Sequence, residues 1–187
     1  MTVQPLIRIC VTGPESTGKT TLAMRLADLL GTICVPEASR LYATEQGRPL
    51  RASDVEPIAR RQLRLDDDAA RRATDAGARH LVLDTDLVST LVYAAYYYAC
   101  SPAWIVDAER DRRAALYLLC DIDVPWVADG VRDRPDSRDE MLRLFDEALA
   151  RRGARVVHIS GDEDARFLAA RQAVDTLVSP KLSPVIG

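Results

Sequence analysis

The sequence is poor in lysine, histidine, cysteine and large aromatic rings, and each shortage removes a class of function. Four cysteines, Cys10, Cys34, Cys100 and Cys120, stand without CxxC spacing, and only His80 and His158 are there to join them. That argues against a zinc centre and against a disulfide framework. Three of the four lie in apolar runs that read as strands, where a reduced thiol packs as a small hydrophobe, and this fits the reducing cytoplasm. With 25 Lys and Arg against 28 Asp and Glu, the formal net charge is −3, so there is no basic field to attract nucleic acid. The N-terminal residues up to Cys10 lack the apolar core and cleavage site of a secretory leader. The longest uncharged stretch, Leu87 to Val106, contains a tyrosine cluster and Pro102 and is flanked by Asp86 and Asp107. It reads as a buried helix followed by a turn rather than a membrane span, so no membrane partner is expected.

What the chain does have is ample apolar material, 48% of 187 residues, with 28% charged. That composition suits one packed domain, expected over residues 1–178, followed by a tail of turn-like composition over 179–187. Hydrophobic periodicity alternates between short strand-like runs and longer helical stripes, the pattern of an α/β fold with a parallel sheet. Strands are expected at Leu6 to Thr12, Thr32 to Val35, His80 to Leu83, Leu116 to Ile122 and Arg155 to Ile159. Leu22, Leu26, Leu29 and Leu30 form a helical stripe that Gly31 closes. Ser53 to Ala76 reads as a charged helix, with Asp67/Arg71 and Asp68/Arg72 paired and the Asp66-Asp67-Asp68 run solvated. Ser137 to Glu140 has the form of a capping box ahead of Met141, Phe145 and Ala148, and a last helix points Phe167, Ala170, Val174 and Leu177 inward.

The first strand runs directly into Gly13-Pro14-Glu15-Ser16-Thr17-Gly18-Lys19-Thr20, a complete GxxxxGK[ST] loop, with Thr21 continuing into the helix. Such a loop surrounds the β-phosphate of a nucleoside triphosphate with backbone N–H groups, and its glycines supply the dihedrals and the close approach. Lys19 is expected at the β- and γ-phosphates and Thr20 at Mg²⁺. Only one other lysine, Lys181, occurs in a chain that otherwise uses arginine, which marks Lys19 as a specific choice. Leu81-Val82-Leu83-Asp84 ends an apolar strand in an acid, so Asp84 is expected at the metal, while Asp86 suits the cap of the following helix.

Glu37, after the second strand, would reach the same crevice at the carboxyl ends of the strands. Two roles fit it: proton acceptor for an attacking hydroxyl, or helix N-terminal acid paired with Arg40. Arg132, Arg134 and Arg138 stand in a polar turn after the fourth strand. They read either as a lid that stabilises the transferring phosphoryl group, with Arg132 catalytic and Arg134 on ATP, or as an exposed loop.

Taken together these residues resemble the ribosylnicotinamide kinase domain of the NadR-type proteins of NAD salvage. Pro125-Trp126-Val127-Ala128-Asp129-Gly130-Val131-Arg132 is similar to the family's PWVxDGxR lid entry, and Asp84-Thr85-Asp86 to its DTD segment. The resemblance implies a three-layer P-loop fold with sheet order 2-3-1-4-5 and a lid around 126–138. It also implies ATP- and Mg²⁺-dependent phosphorylation of the 5′-hydroxyl of nicotinamide riboside. Residues carried over as substrate-binding are Glu37 and Arg40 of the family's E-x-x-R, Asp86, Trp126, Asp129, and Tyr97, which falls where an aromatic ring stacks on the pyridinium.

Two departures stand out. The family places an aromatic before the glutamate, and here that residue is Pro36. The HxGH motif of the family's adenylyltransferase domain is absent, so the chain is expected neither to make NAD from the mononucleotide nor to bind an operator. The tyrosines Tyr93, Tyr96 and Tyr97 share one helix side, as a pocket wall or as core, with Tyr98 turned away. A kinase of another nucleoside or small metabolite, and an ATP-driven switch acting on a protein partner, use the same loop. The oligomeric state is left open.

Overall fold

The computed structural model describes residues 5–125 and 137–178. The expected roles of Trp126, Asp129, Arg132 and Arg134, most of the lid, and the tail at 179–187 therefore fall outside the described residues.

The chain alternates strands and helices: β1 (Ile7–Thr12), α1 (Lys19–Leu29), β2 (Cys34–Val35), α2 (Ala38–Gln46), α3 (Val55–Asp75), β3 (His80–Asp84), α4 (Leu87–Tyr98), α5 (Ala103–Asp111), β4 (Leu116–Cys120), α6 (Arg138–Arg151), β5 (Val156–Ile159) and α7 (Glu163–Val178). All strands are parallel in the order β2-β3-β1-β4-β5, as expected. Side chains alternate between the two faces of the sheet, which makes three layers. Cys10, Leu81, Leu83, Tyr117 and Leu119 face α3, α4 and α6, where they meet Ala73, Val88 and Phe145. Ile9, Val11, Val82, Leu116 and Leu118 face α1 and α7, where they meet Leu22, Leu26 and Val174. Removing one such side chain, as in Leu26→Ala, costs about 2–5 kcal/mol.

Several expectations change in the fold. The second strand shrinks to Cys34–Val35, because β2 is an edge strand that, among the described residues, pairs with β3 alone. Leu29 is exposed and leaves the α1 stripe, while Leu30 is half-buried and packs against the same core as Leu22 and Leu26. Asp66 is buried rather than solvated, since α3 turns it toward the sheet, where Arg8 of β1 donates to it at 3.2 Å. That contact also explains the one charge inside β1. Asp67 pairs with Arg112 instead of Arg71, and Asp68 takes both Arg71 and Arg72. The turn after α4 leads into a further helix, α5, begun by Pro102 at its N-cap. Ser137 stands at the N-cap of α6 without a side-chain capping bond.

Candidate active site

The β-strand register brings the candidate residues together. Val11 is paired with Asp84, and the Thr85 N–H donates to the Val11 carbonyl at 2.9 Å, so β3 ends beside the start of the glycine loop. Gly13 is obligatory there. Its φ is +132°, and a Cβ would lie 2.8 Å from the Cys120 carbonyl oxygen at the end of β4. Ser16 and Gly18 take left-handed backbone at φ 53° and 75°, the alternation that makes a concave nest of N–H groups. Gly18 then caps α1, whose N-terminus carries the positive end of the helix dipole.

Inside the loop, the Pro14 carbonyl accepts from the Lys19 ammonium and from the Thr17 hydroxyl, the latter at 2.9 Å. The Thr20 hydroxyl donates to Asp84 Oδ2 at 2.7 Å, while Asp84 Oδ1 is buried with no hydrogen-bond partner among the described residues. Burial pushes the Asp84 carboxyl above the usual range, the Thr20 hydrogen bond opposes this, and the Glu37 charge adds to it. A hydroxyl beside a carboxylate with a spare buried oxygen is a hard, all-oxygen donor set, the kind Mg²⁺ takes.

Glu37 is buried at the start of α2. Its Oε1 accepts from the Ser39 hydroxyl, and Arg40 Nε lies 3.6 Å from Oε2. Behind it runs a buried polar chain that sequence reading missed. The Ala38 N–H donates to Gln62 Oε1 and Gln62 Nε2 to Asp66 Oδ1, both at 3.1 Å, and Arg8 completes it. This chain fixes the first turn of α2 against the sheet.

Two cavities adjoin these groups. One, of about 390 Å³, lies over the loop between Ser16, Gly18, Leu22, Arg40, Pro125 and Arg166. The other, of about 40 Å³, lies between α3 and α4, where Ser39, Arg51, Thr85, Ser89, Tyr97 and Tyr98 contribute. The rings of Tyr93 and Tyr97 are stacked at 6.1 Å with 6° between planes, and both line this second cavity. Tyr98 lines it too, contrary to the sequence reading, while Tyr96 turns to α6 and donates to Glu140. Thr85, between the two aspartates, has φ 68°, a strained conformation for a β-branched residue.

Asp86 lines neither cavity. One oxygen caps α4 by accepting from the Val88 N–H at 2.9 Å, and the other accepts from the Tyr117 hydroxyl at 2.8 Å. Complete burial raises its pKa to about 6. Both oxygens of this residue, expected at the substrate, are thus engaged by the helix cap and by Tyr117.

Sequence reading also missed Arg166 and the inward role of Arg138. Both guanidinium groups are buried, and they reach the loop carbonyls of Thr17 and Ser16.

A family model described as an AAA domain matches residues 8–166. The chain belongs to the AAA domain family. Among curated relatives, it is 28% identical over 177 residues to the trifunctional NAD biosynthesis/regulator protein NadR of Salmonella typhimurium, across 91% of this chain and 42% of that protein. The NadR of Escherichia coli matches at 28% over 173 residues, 89% of this chain and 41% of that one. The chain is homologous to NadR and spans about two fifths of the length of these relatives. Among solved structures, NadR protein in complex with NR superposes with a TM-score of 0.73 at 26% identity, over 97% of this chain and 54% of that one. NadR protein in complex with NAD and AMP-PNP gives 0.71 at 26%, over 96% and 51%. Thymidylate kinase from Ehrlichia chaffeensis shares the fold, with a TM-score of 0.64 at 15% identity, over 93% of this AAA-domain chain and 100% of its own.

Proposed function

We propose that this AAA-domain protein is a nucleoside kinase that moves the γ-phosphoryl group of ATP to the 5′-hydroxyl of nicotinamide riboside. The observation that carries the reading is the Thr20–Asp84 contact at the mouth of the glycine loop, with one Asp84 oxygen buried and spare. NadR relatives, one solved with NR and one with AMP-PNP, support the acceptor and the donor.

In this reading the loop N–H groups and Lys19 bind the β- and γ-phosphates of ATP, with Gly13, Pro14, Glu15, Ser16, Thr17, Gly18 and Thr21 shaping the cradle. Thr20 and Asp84 would hold Mg²⁺, which when bound neutralises charge on the phosphate oxygens. The acceptor would lie toward Tyr97, with Glu37 and Arg40, at the start of α2, reaching it from the side of the glycine loop. The Glu37 carboxylate takes the proton of the attacking hydroxyl, the new bond forms from that oxygen to the γ-phosphorus, and the bond to the β–γ bridging oxygen breaks. ADP and the mononucleotide leave. Ser39 and Arg40 hold Glu37 in place through its two oxygens. Arg132 and Arg134 retain their proposed roles on the transferring group and on ATP, and Trp126 and Asp129 theirs at the acceptor.

A second reading, a kinase of a different nucleoside, is favoured by one observation. Among the described residues, Arg51 is the one charged residue lining the tyrosine-lined cavity, and Pro36 stands where the resembling family has an aromatic. Nicotinamide riboside is itself a cation. The test is ADP release by the purified chain with ATP and Mg²⁺, offered nicotinamide riboside, adenosine, cytidine, uridine and thymidine in turn. Stimulation by nicotinamide riboside above the others supports the first reading, and stimulation by another nucleoside the second. Slow hydrolysis that no nucleoside changes counts against both.

A further inference from the structure

Phosphate binding by a glycine loop depends on which way its peptides face. In a trans peptide the C=O and the following N–H point in opposite directions, so fixing one fixes the other. Three carbonyls of this loop accept hydrogen bonds from cationic side chains. Lys19 donates to Pro14, Arg138 Nη2 to Ser16 at 3.4 Å, and Arg166 Nη1 to Thr17 at 2.9 Å. The N–H groups on the far side of the Ser16 and Thr17 carbonyls belong to Thr17 and Gly18, the two residues that open the nest toward α1.

The two arginines come from helices far along the chain, α6 and α7, and both side chains are buried. Neither serves the loop alone. Arg138 Nη1 donates to the Val124 carbonyl at 3.1 Å. Arg166 Nη2 donates to the Asp121 carbonyl at 3.0 Å and pairs with Asp123, and its Nε donates to Gly161 at 2.7 Å. Each guanidinium thus spans from the loop to the segment that leaves β4. A planar fork with several fixed donors can do this, whereas a lysine ammonium on a flexible stem cannot hold the same set.

We infer that Arg138 and Arg166 are positioning residues for nucleotide binding: they hold the Ser16 and Thr17 carbonyls, and thereby aim and polarise the Thr17 and Gly18 N–H groups that bind the β-phosphate. The inference rests on the proposed nucleotide site and adds to it. A carbonyl that accepts from a permanent cation draws electron density from its own peptide, so the partner N–H becomes a stronger donor, and the low-dielectric setting enlarges the effect. The same bonds tie the loop to the segment that leaves β4, so nucleotide affinity depends on that segment as well.

The test is titration of ADP and AMP into the wild type, Arg138→Gln and Arg166→Lys, with AMP measured by displacement and melting temperature recorded alongside. ADP uses the β-phosphate cradle and AMP does not. The expected result is ADP affinity lower by about tenfold in each variant, the scale of one weakened charged hydrogen bond, with AMP affinity unchanged. Equal loss of both nucleotides, or no loss of ADP, overturns the inference. If Arg166→Lys fails to fold, Arg138→Gln decides, because among the described residues that side chain makes two hydrogen bonds against four for Arg166. Absence of ADP binding by the wild type removes the nucleotide reading and this inference together.

Discussion

The Thr20 hydroxyl meets Asp84 Oδ2 at 2.7 Å, joining the first turn of α1 to the last residue of β3. Burial and the nearby Glu37 charge both penalise the ionised Asp84 carboxyl, so the fold holds it against its own preference. Asp84→Asn is therefore expected to leave the melting temperature unchanged or higher while lowering turnover by about a hundredfold or more. Thermal melts beside a coupled ADP assay check this, and a variant that keeps wild-type turnover contradicts the assignment.

Glu37 has two expected roles, and its kinetics separate them. As proton acceptor it contributes about 10²–10⁴-fold, so Glu37→Gln is expected to lose that much kcat. A loss of less than about tenfold, with raised KM for the nucleoside, makes Glu37 a binding residue held by Arg40.

Asp86 makes stability depend on pH. Its pKa in the fold is about 6, above the usual carboxylate value of 3.8, so between these values the folded chain holds a proton that the unfolded chain has released. Its contribution is full below pH 3.8 and is lost as pH rises through about 6. Asparagine also caps helices and does not titrate, so Asp86→Asn should fold. The urea midpoint of the wild type, relative to this variant, is expected to fall between pH 4.5 and 7, and a constant difference contradicts it.

Tyr97 stacks on Tyr93 and lines the smaller cavity. Tyr97→Ala is expected to raise KM for the nucleoside by about tenfold and to leave KM for ATP alone, since an aromatic face on a cationic ring is worth roughly 1–2 kcal/mol. Initial-rate kinetics with each substrate varied in turn check this, and equal changes in both would place Tyr97 in the core rather than at the acceptor.

The glycine loop, Lys19, Thr20 and Asp84 were legible because their chemistry lies in contiguous residues at the end of apolar strands. The parallel sheet was legible because short apolar runs alternate with helical stripes, and its strand order followed from the resemblance to the NadR-type kinase domain. The arginines that hold the loop carbonyls were not, because one arginine in so arginine-rich a chain carries no local mark. A signal did exist. Arg138 falls on the stripe of Met141, Phe145 and Ala148, Arg166 on that of Ala170 and Val174, and Asp66 on that of Ala69 and Ala73, all buried positions. A charge on an apolar stripe announces a buried partner, but the partner's identity is set by tertiary contacts. The tyrosine cluster misled in the same way, since Tyr98 joins the cavity only because α3 and the residues before it close over that side of α4.

The most direct test of phosphoryl transfer is ³¹P NMR of a reaction containing the chain, ATP, Mg²⁺ and nicotinamide riboside. The account requires a phosphomonoester signal of nicotinamide mononucleotide that grows one for one with ADP, without free phosphate. ADP accompanied by inorganic phosphate and no phosphomonoester, whichever nucleoside is supplied, would contradict it.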